Sequence, residues 1–215
     1  MLVTVIRHAE SLGNAGMLRE NDPDPLLSPL GIDQARLAAQ RLAAEGVTHI
    51  WSSPFRRAIQ TASYLARAQQ IEVLLEPDMV EHYIFDDLKD YRGRTGRELL
   101  TEFEFATLAG HFRGGRWTPE WGESWEGLLE RTGRVARRAL ELARKSANPE
   151  AVHLAVFGHG ASVKALLTTL IGEAIPSDAP FVNAGMSRAR LDDSLPGKAL
   201  FLNDASHLDV LEEAR

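Results

Sequence analysis

Short apolar runs alternate with amphipathic stretches along most of the chain. Leu2 to Ile6 is a run rich in β-branched residues that ends in charge at Arg7, which predicts a buried strand. After a loop rich in Asn, Asp and Pro, Ser28-Pro29 predicts a helix start. Serine can cap, and the N–H that proline lacks would be unpaired in the first turn anyway. Ile32, Ala35, Ala38 and Leu42 share one face of that helix, which runs to about Glu45 with Gly46 as its terminator. Val47 to Trp51 reads as the next strand. Ser53-Pro54 then opens a second helix to about Ala68, and Ile71 to Leu75 is a third strand. A helix over roughly Ser124 to Lys145, a strand at Val152 to Phe157 and a helix at Val163 to Ile171 follow. Two late strands lie near Ser187 to Leu191 and Ala199 to Leu202.

Strands alternating with helices of this length imply parallel βαβ units. The expected fold is α/β: a three-layer αβα sandwich around a mostly parallel sheet, in one domain over residues 1–215. The rhythm breaks at 81–126, which holds 9 of the 15 aromatic residues. That density predicts a small cap insertion, packed on itself over the sheet edge. A satellite hydrophobic cluster with no ligand role is the alternative.

Composition narrows the partners. Lys and Arg number 24 against 30 Asp and Glu, a net charge of −6. An acidic balance argues against a nucleic-acid partner, which needs a basic face. It leaves room for a small phosphorylated substrate in a local basic pocket. The chain has no cysteine, so disulfides, thiolate zinc sites and a cysteine nucleophile are excluded. No apolar run approaches a membrane span or a signal-peptide core. A soluble, cytoplasmic protein without a membrane partner is expected.

Three clusters could carry chemistry, and each sits where a strand ends. Arg7-His8-Ala9-Glu10-Ser11 follows the first strand, where ligands of open α/β sheets bind. Alone, an Arg-His pair reads more simply as loop residues. Gly158-His159-Gly160-Ala161-Ser162 follows another apolar strand and opens a helix, whose N-terminus favours anions. The slot of a serine-hydrolase elbow is filled by His159, so that chemistry fails. Ser52-Ser53-Pro54-Phe55-Arg56-Arg57-Ala58 puts two guanidiniums in a first helical turn, where planar donor forks suit phosphate oxygens. An isolated Arg pair is ordinarily a solvated one. Together, the clusters place two histidines and several arginines on one rim of the sheet. A neutral imidazole can attack phosphorus, and an acid must protonate the leaving alkoxide. Glu81, past the Ile71–Leu75 strand and Pro77, is the best-placed carboxylate. No histidine pair has zinc-ligand spacing, so no metal is expected.

The same residues resemble the histidine phosphatase superfamily, in its phosphoglycerate-mutase-like branch. Arg7-His8-Ala9-Glu10-Ser11 with Asn14 is similar to its R-H-G-E-[ST]-x-x-N signature. Leu27-Ser28-Pro29-Leu30-Gly31 with Gln34-Ala35 resembles L-[ST]-x-x-G-x-x-Q-A, and the stretch Ser52 to Ala62 resembles S-S-P-x-x-R-A-x-x-T-A. Gly122-Glu123-Ser124, Gly158-His159-Gly160, Asn183 and Asn203 to Leu208 fall in family order. The resemblance implies His8 as phosphoryl-accepting nucleophile. Arg7, Arg57 and His159 would bind the phosphoryl group, with His159 protonated, and Asn14 would donate to a phosphate oxygen. Gly160 would bring its backbone close to the ligand. Glu81 would be proton donor and later base, and no cofactor is implied. Arg57 is chosen over Arg56 because it directly precedes Ala58, as the family's R-A pair does. Two departures stand: Ala9 replaces a glycine, and Glu81-His82-Tyr83-Ile84-Phe85-Asp86 lacks the glycine that often follows the acid. Asp86 and Glu10 therefore stay open as alternative acids.

The remaining histidines divide. His49 and His153 are expected in packing or surface roles, His82 beside the pocket, His111 in a loop and His207 behind the rim of the site. The implied activity is a phosphomonoesterase acting on small phosphate esters through a phosphohistidine. A 2,3-bisphosphoglycerate-dependent phosphoglycerate mutase is the alternative, disfavoured because no Tyr-Gly-x-Leu-x-Gly-Leu-like stretch follows Glu81. A non-catalytic phosphoester-binding module would have lost His8 or its clamp, and both are present. A homodimer stays open, being common among soluble enzymes.

Overall fold

The computed structural model describes residues 1–18, 22–112, 117–176 and 178–212. Its elements in chain order are β1 (Leu2–Arg7), α1 (Pro29–Ala44), β2 (His49–Ser52), α2 (Arg56–Gln69), β3 (Val73–Leu75), α3 (Gly96–Glu102) and β4 (Ala106–Leu108). There follow α4 (Trp125–Lys145), β5 (His153–Gly158), α5 (Gly160–Ile171), β6 (Met186–Arg190), β7 (Lys198–Asp204) and α6 (Asp209–Glu212). The strands form one seven-stranded sheet in the order β4-β3-β2-β5-β1-β6-β7. β4 through β1 in that order are parallel neighbours, and β6 alone runs against its neighbours β1 and β7.

Both faces of the sheet are covered, which is why β5 reads as an unbroken buried run. One core joins Ile6, Ile50 and Phe157 to α1 and α2 through Ala35, Leu42, Ile59 and Leu65. The other joins Val3, Val5 and Val156 to α4 and α5 through Val135, Ala139, Leu166 and Leu170. The three expected layers are present. No helix among the described residues is long and apolar enough to cross a membrane.

Ser28 caps α1 through the N–H of Gly31, and Gly46 has the left-handed φ of +71° that ends the turn. Gly31 is also a close approach: a Cβ there would lie 1.9 Å from the carbonyl oxygen of Glu10. This packs the start of α1 against the loop that follows β1.

One expectation is corrected and another extended. The second helix begins at Arg56, and its N-cap, Phe55, makes no side-chain cap bond. Ser53 instead uses its hydroxyl elsewhere, as described below. The 81–126 region packs on itself, as Trp117 does on Tyr91 and Phe112, but it also joins the main core and the sheet. It contains α3, capped by a Thr95–Glu98 box, and β4, which extends the sheet by pairing with β3. Tyr83, Leu88, Leu99, Phe103, Phe112 and Trp117 join the same core as Ile59 and Leu65. Phe55 lies at its centre, with ring centroids 5.6 Å from Tyr91 and 5.5 Å from Trp117. Residues 113–116 of this region lie outside the described residues.

Candidate active site

The parallel ladder brings three strand ends to one rim. Arg7 pairs with Gly158 in the β1–β5 register, and the His8 N–H donates to the Gly158 carbonyl at 2.9 Å. The Ser53 N–H donates to Phe157 O at 2.9 Å, bringing the end of β2 alongside. His8, His159 and Ser53 therefore leave neighbouring strands at the same height. The His8 and His159 rings stand edge to face with centroids 5.1 Å apart.

The hydrogen bonds set the state of both imidazoles. His8 Nδ1 lies 2.7 Å from Ala9 O, an acceptor only, so Nδ1 carries the proton. Arg57 Nε donates to His8 Nε2 at 3.3 Å, which identifies Nε2 as the atom with the free lone pair. Burial, then the Arg57 and Arg7 guanidiniums, hold the His8 pKa well below the ordinary histidine range. This favours a neutral His8 with an unprotonated Nε2.

His159 Nε2 lies 2.8 Å from Ser53 Oγ, which also accepts from the Phe55 N–H at 3.3 Å. Among the described residues no other acceptor takes the Ser53 hydroxyl proton, so we assign it to His159 Nε2 and the ring proton to Nδ1. Burial, followed by Arg57 and His8, pushes the His159 pKa well down as well. Two guanidiniums already crowd His159, so a third buried cation there is unfavourable while no anion offsets them.

Among the described residues, two buried nitrogens near His8 have no protein partner, Arg7 Nε and His159 Nδ1. Buried polar atoms are ordinarily satisfied, so this pair marks a place prepared for an acceptor. Burial lowers the Arg7 and Arg57 pKa values from their ordinary level, yet both remain cationic. An anion with several oxygens is the ligand such a cluster fits.

Asn14 and Asn183 stand at the edge of this place. Asn183 Nδ2 donates to His8 O at 3.0 Å and to Asn14 Oδ1 at 3.2 Å. Glu81 accepts the Ala161 N–H at 3.1 Å, which fixes its carboxylate to the first turn of α5. Gly160 lies beside it, a Cβ there reaching 3.7 Å from Glu81 Oε2. Arg7, Glu81 and Phe85 are shared by two adjoining clefts. The smaller, about 380 Å³, contains His8, Asn14, Arg57 and Asp87. The larger, about 780 Å³, contains Gly160, Lys164, Phe181, Asn183 and Leu208. The two alternative acids are placed elsewhere. Glu10 accepts from Ser28 Oγ at 2.6 Å at the start of α1, and exposed Asp86 lines neither cleft.

A family model, the histidine phosphatase superfamily (branch 1), matches residues 3–203. The chain belongs to this family. It is thereby an enzyme of the histidine phosphatase type. It is 29% identical to the probable phosphoglycerate mutase GpmB of Yersinia pestis (strain Pestoides F), covering 97% of this chain and 95% of that one. Among solved structures it resembles a mutant phosphoserine phosphatase from Entamoeba histolytica in complex with phosphoserine. That match has TM-score 0.64 and 23% identity, covering 96% of this chain and 98% of that one. It also resembles mycobacterial glucosyl-3-phosphoglycerate phosphatase in complex with VO3. Here the TM-score is 0.63 and identity 23%, covering 94% of this chain and 98% of the other.

In this histidine phosphatase several residues around the site were not singled out by the sequence pattern. Asp24 is buried behind Arg57, 3.8 Å from its Nη1, and accepts from the Arg56 N–H and the Tyr91 hydroxyl, each at 2.8 Å. Burial raises its carboxyl to about 6. Arg131, Arg134 and Arg138 form a row on one face of α4 and bind the segment leading to Glu81. Their i, i+3, i+7 spacing opposite Glu76 and Asp78 was the available signal. Arg56 points outward to Glu102 at 2.9 Å, leaving Arg57 at the site.

His82 does not line the clefts; its Nε2 lies 2.8 Å from Glu123 O and its ring packs on Trp125. His49 lies against Thr48, and His153 is buried between Thr4 and Glu45 O. His207 is half-buried outside both clefts. His111 pairs with Glu76 at 2.9 Å. Glu76, Asp78 and His111 converge as metal ligands would, but Arg138 and Arg134 already neutralise the two carboxylates. Glu76, His111 and Arg138 border a separate hollow with Trp51 and Leu74.

Proposed function

We propose that this protein is a metal-independent phosphomonoesterase that works through a phosphohistidine on His8. The observation that carries the reading is the pair of unpartnered buried donors, Arg7 Nε and His159 Nδ1, flanking a neutral imidazole whose Nε2 faces Arg57. His8 Nε2 attacks phosphorus as the P–O bond to the alcohol breaks. Arg7, Arg57 and His159 Nδ1–H hold the three equatorial oxygens, with Asn14 at their edge. The Glu81 carboxyl gives its proton to the departing alkoxide. Water then attacks the phosphohistidine, Glu81 takes the water proton, and the P–N bond breaks to release phosphate.

Glu81 stands between the clefts, so the alcohol leaves into the larger one. Its walls include Phe85, Phe181 and Leu208, which suits a leaving group with an apolar face. Phe85, half exposed, comes from the 81–126 insertion, which in this reading caps the alcohol side. The charge that a metal would neutralise is met here by guanidiniums.

Rapid mixing with a labelled phosphate ester should trap acid-labile label on His8, with release of phosphate at steady state. No label on the protein while ester is turned over would overturn the reading. A second reading, phosphoglycerate mutase, is favoured by the name of the Yersinia relative. Isomerisation of 3-phosphoglycerate that depends on added 2,3-bisphosphoglycerate would establish it instead.

A further inference from the structure

We propose that Arg131, held by Glu123, is the positioning residue for Glu81. This rests on the reading of Glu81 as the proton donor. Arg131 is 5% exposed, and all five N–H donors of its guanidinium are used. Nε and one Nη2 donor take the Glu123 carboxylate as a fork at 2.6 and 2.8 Å. The other three go to main-chain carbonyls of the segment that ends in the acid: Asp78 O and Val80 O at 2.8 Å, and Glu81 O at 2.9 Å. Glu123 extends the grip beyond Glu81, because its Oε2 accepts the Tyr83 N–H at 3.4 Å.

The segment thus held is not part of a ladder. It follows the 3-10 turn Pro77–Met79 and has extended backbone at Val80, so its carbonyls need partners from outside. Arg131 supplies them from α4, while the Ala161 N–H fixes the carboxylate from α5. Two helices therefore determine where the Glu81 carboxyl stands relative to His8. A displacement of about 1 Å at a reacting group is enough to cost on the order of 100-fold in rate. Arg134 and Arg138 bind side chains of Asp78 and Glu76 and touch no carbonyl of Val80 or Glu81.

The test uses leaving-group dependence, which a merely structural contact would not move. An alkyl phosphate needs a proton on its leaving oxygen; para-nitrophenyl phosphate needs it far less. Arg131→Lys keeps the charge and loses the fork. It should lower kcat on the alkyl ester by on the order of tenfold more than on the nitrophenyl ester. Glu123→Gln should shift the same ratio in the same direction, and serves if Arg131→Lys melts below the assay temperature. Arg134→Gln should leave the ratio at its wild-type value. If both Arg131→Lys and Glu123→Gln, folded by circular dichroism, slow the two esters equally or not at all, the inference is overturned. Glu81→Gln, measured alongside, separates the two claims. Equal loss on both esters there removes Glu81 as the acid. Selective loss there with equal loss in Arg131→Lys removes Arg131 alone.

Discussion

Arg57 Nε donates to His8 Nε2 at 3.3 Å, so the arginine occupies the lone pair of the imidazole that it would assist. An incoming phosphoryl group must take both partners of this bond, the nitrogen as nucleophile and the guanidinium as oxygen clamp. His8→Ala should therefore abolish turnover, by on the order of 10⁴-fold or more in kcat. Its melting temperature should stay near wild type, since His8 lies at a strand end rather than between the sheet and a helix. Residual steady-state activity close to wild type would remove His8 as nucleophile.

The two adjacent arginines should separate cleanly. Arg57→Ala should lower kcat/KM by on the order of 10²- to 10³-fold, as expected for a lost charged donor at a transition state. Arg56, turned toward Glu102 and Asp22 and away from His8, should cost less than about threefold in kcat/KM when changed to alanine, since its ion pairs do not reach the site. Kinetics on one ester with both variants decides this. A larger loss for Arg56→Ala contradicts the assignment.

Acid sensitivity follows from the buried imidazoles. In the unfolded chain His8 and His159 take protons near pH ~6.5; in the folded chain they do so only well below that value. The unfolded state binds more protons in between, so stability falls as pH drops through this window, by up to about 1.4 kcal/mol per pH unit for each ring. His153 and His207, also lowered by burial, act in the same direction. Asp24 opposes them. Its carboxyl is raised from 3.8 to about 6, so the folded state protonates first and gains stability as pH falls between those values. Denaturant titrations from about pH 7 to 5 should show a decline in stability that becomes steeper in Asp24→Asn. A flat profile, or a shallower one in the variant, contradicts this balance.

Gly31→Ala tests the contact between α1 and the loop after β1. The new Cβ would fall 1.9 Å from Glu10 O, a main-chain atom that also accepts the Ser28 N–H. Neither backbone can yield without moving the capped helix start or the loop that carries His8. The expected loss is about 3 kcal/mol or more by urea denaturation. A change under about 0.5 kcal/mol, ordinary for a surface site, would mean that the two segments do not meet in this way.

Where chemistry sits at the end of a long apolar strand, the sequence was readable. His8, His159 and Arg57 were placed because β1, β5 and the β2–α2 junction announce themselves by runs and by Ser/Pro punctuation. The start of α2 was misplaced because Ser53 has the composition of a cap but bonds His159 Nε2 instead. β4 was invisible: three residues, Ala106 to Leu108, are too few to show a period. Asp24 reaches Arg57 from a loop 33 positions earlier, a pairing fixed by tertiary packing alone. The arginine row on α4 carried a helical spacing, yet an i, i+3, i+7 set of cations reads equally as a solvated face until its acidic partners are seen.

The two imidazoles hang from adjacent parallel strands, β5 and β1, locked in register by hydrogen bonds from Leu2 through Arg7. Their spacing follows that of the sheet, about 4.8 Å between strands, because each comes directly after its strand. The walls around the departing alcohol come from other stretches, near Phe85 and near Phe181. Swapping those two stretches for a relative's should exchange the alcohol preference while the rate of forming the phosphorus–nitrogen bond carries over, so the scaffold can be retargeted by grafting.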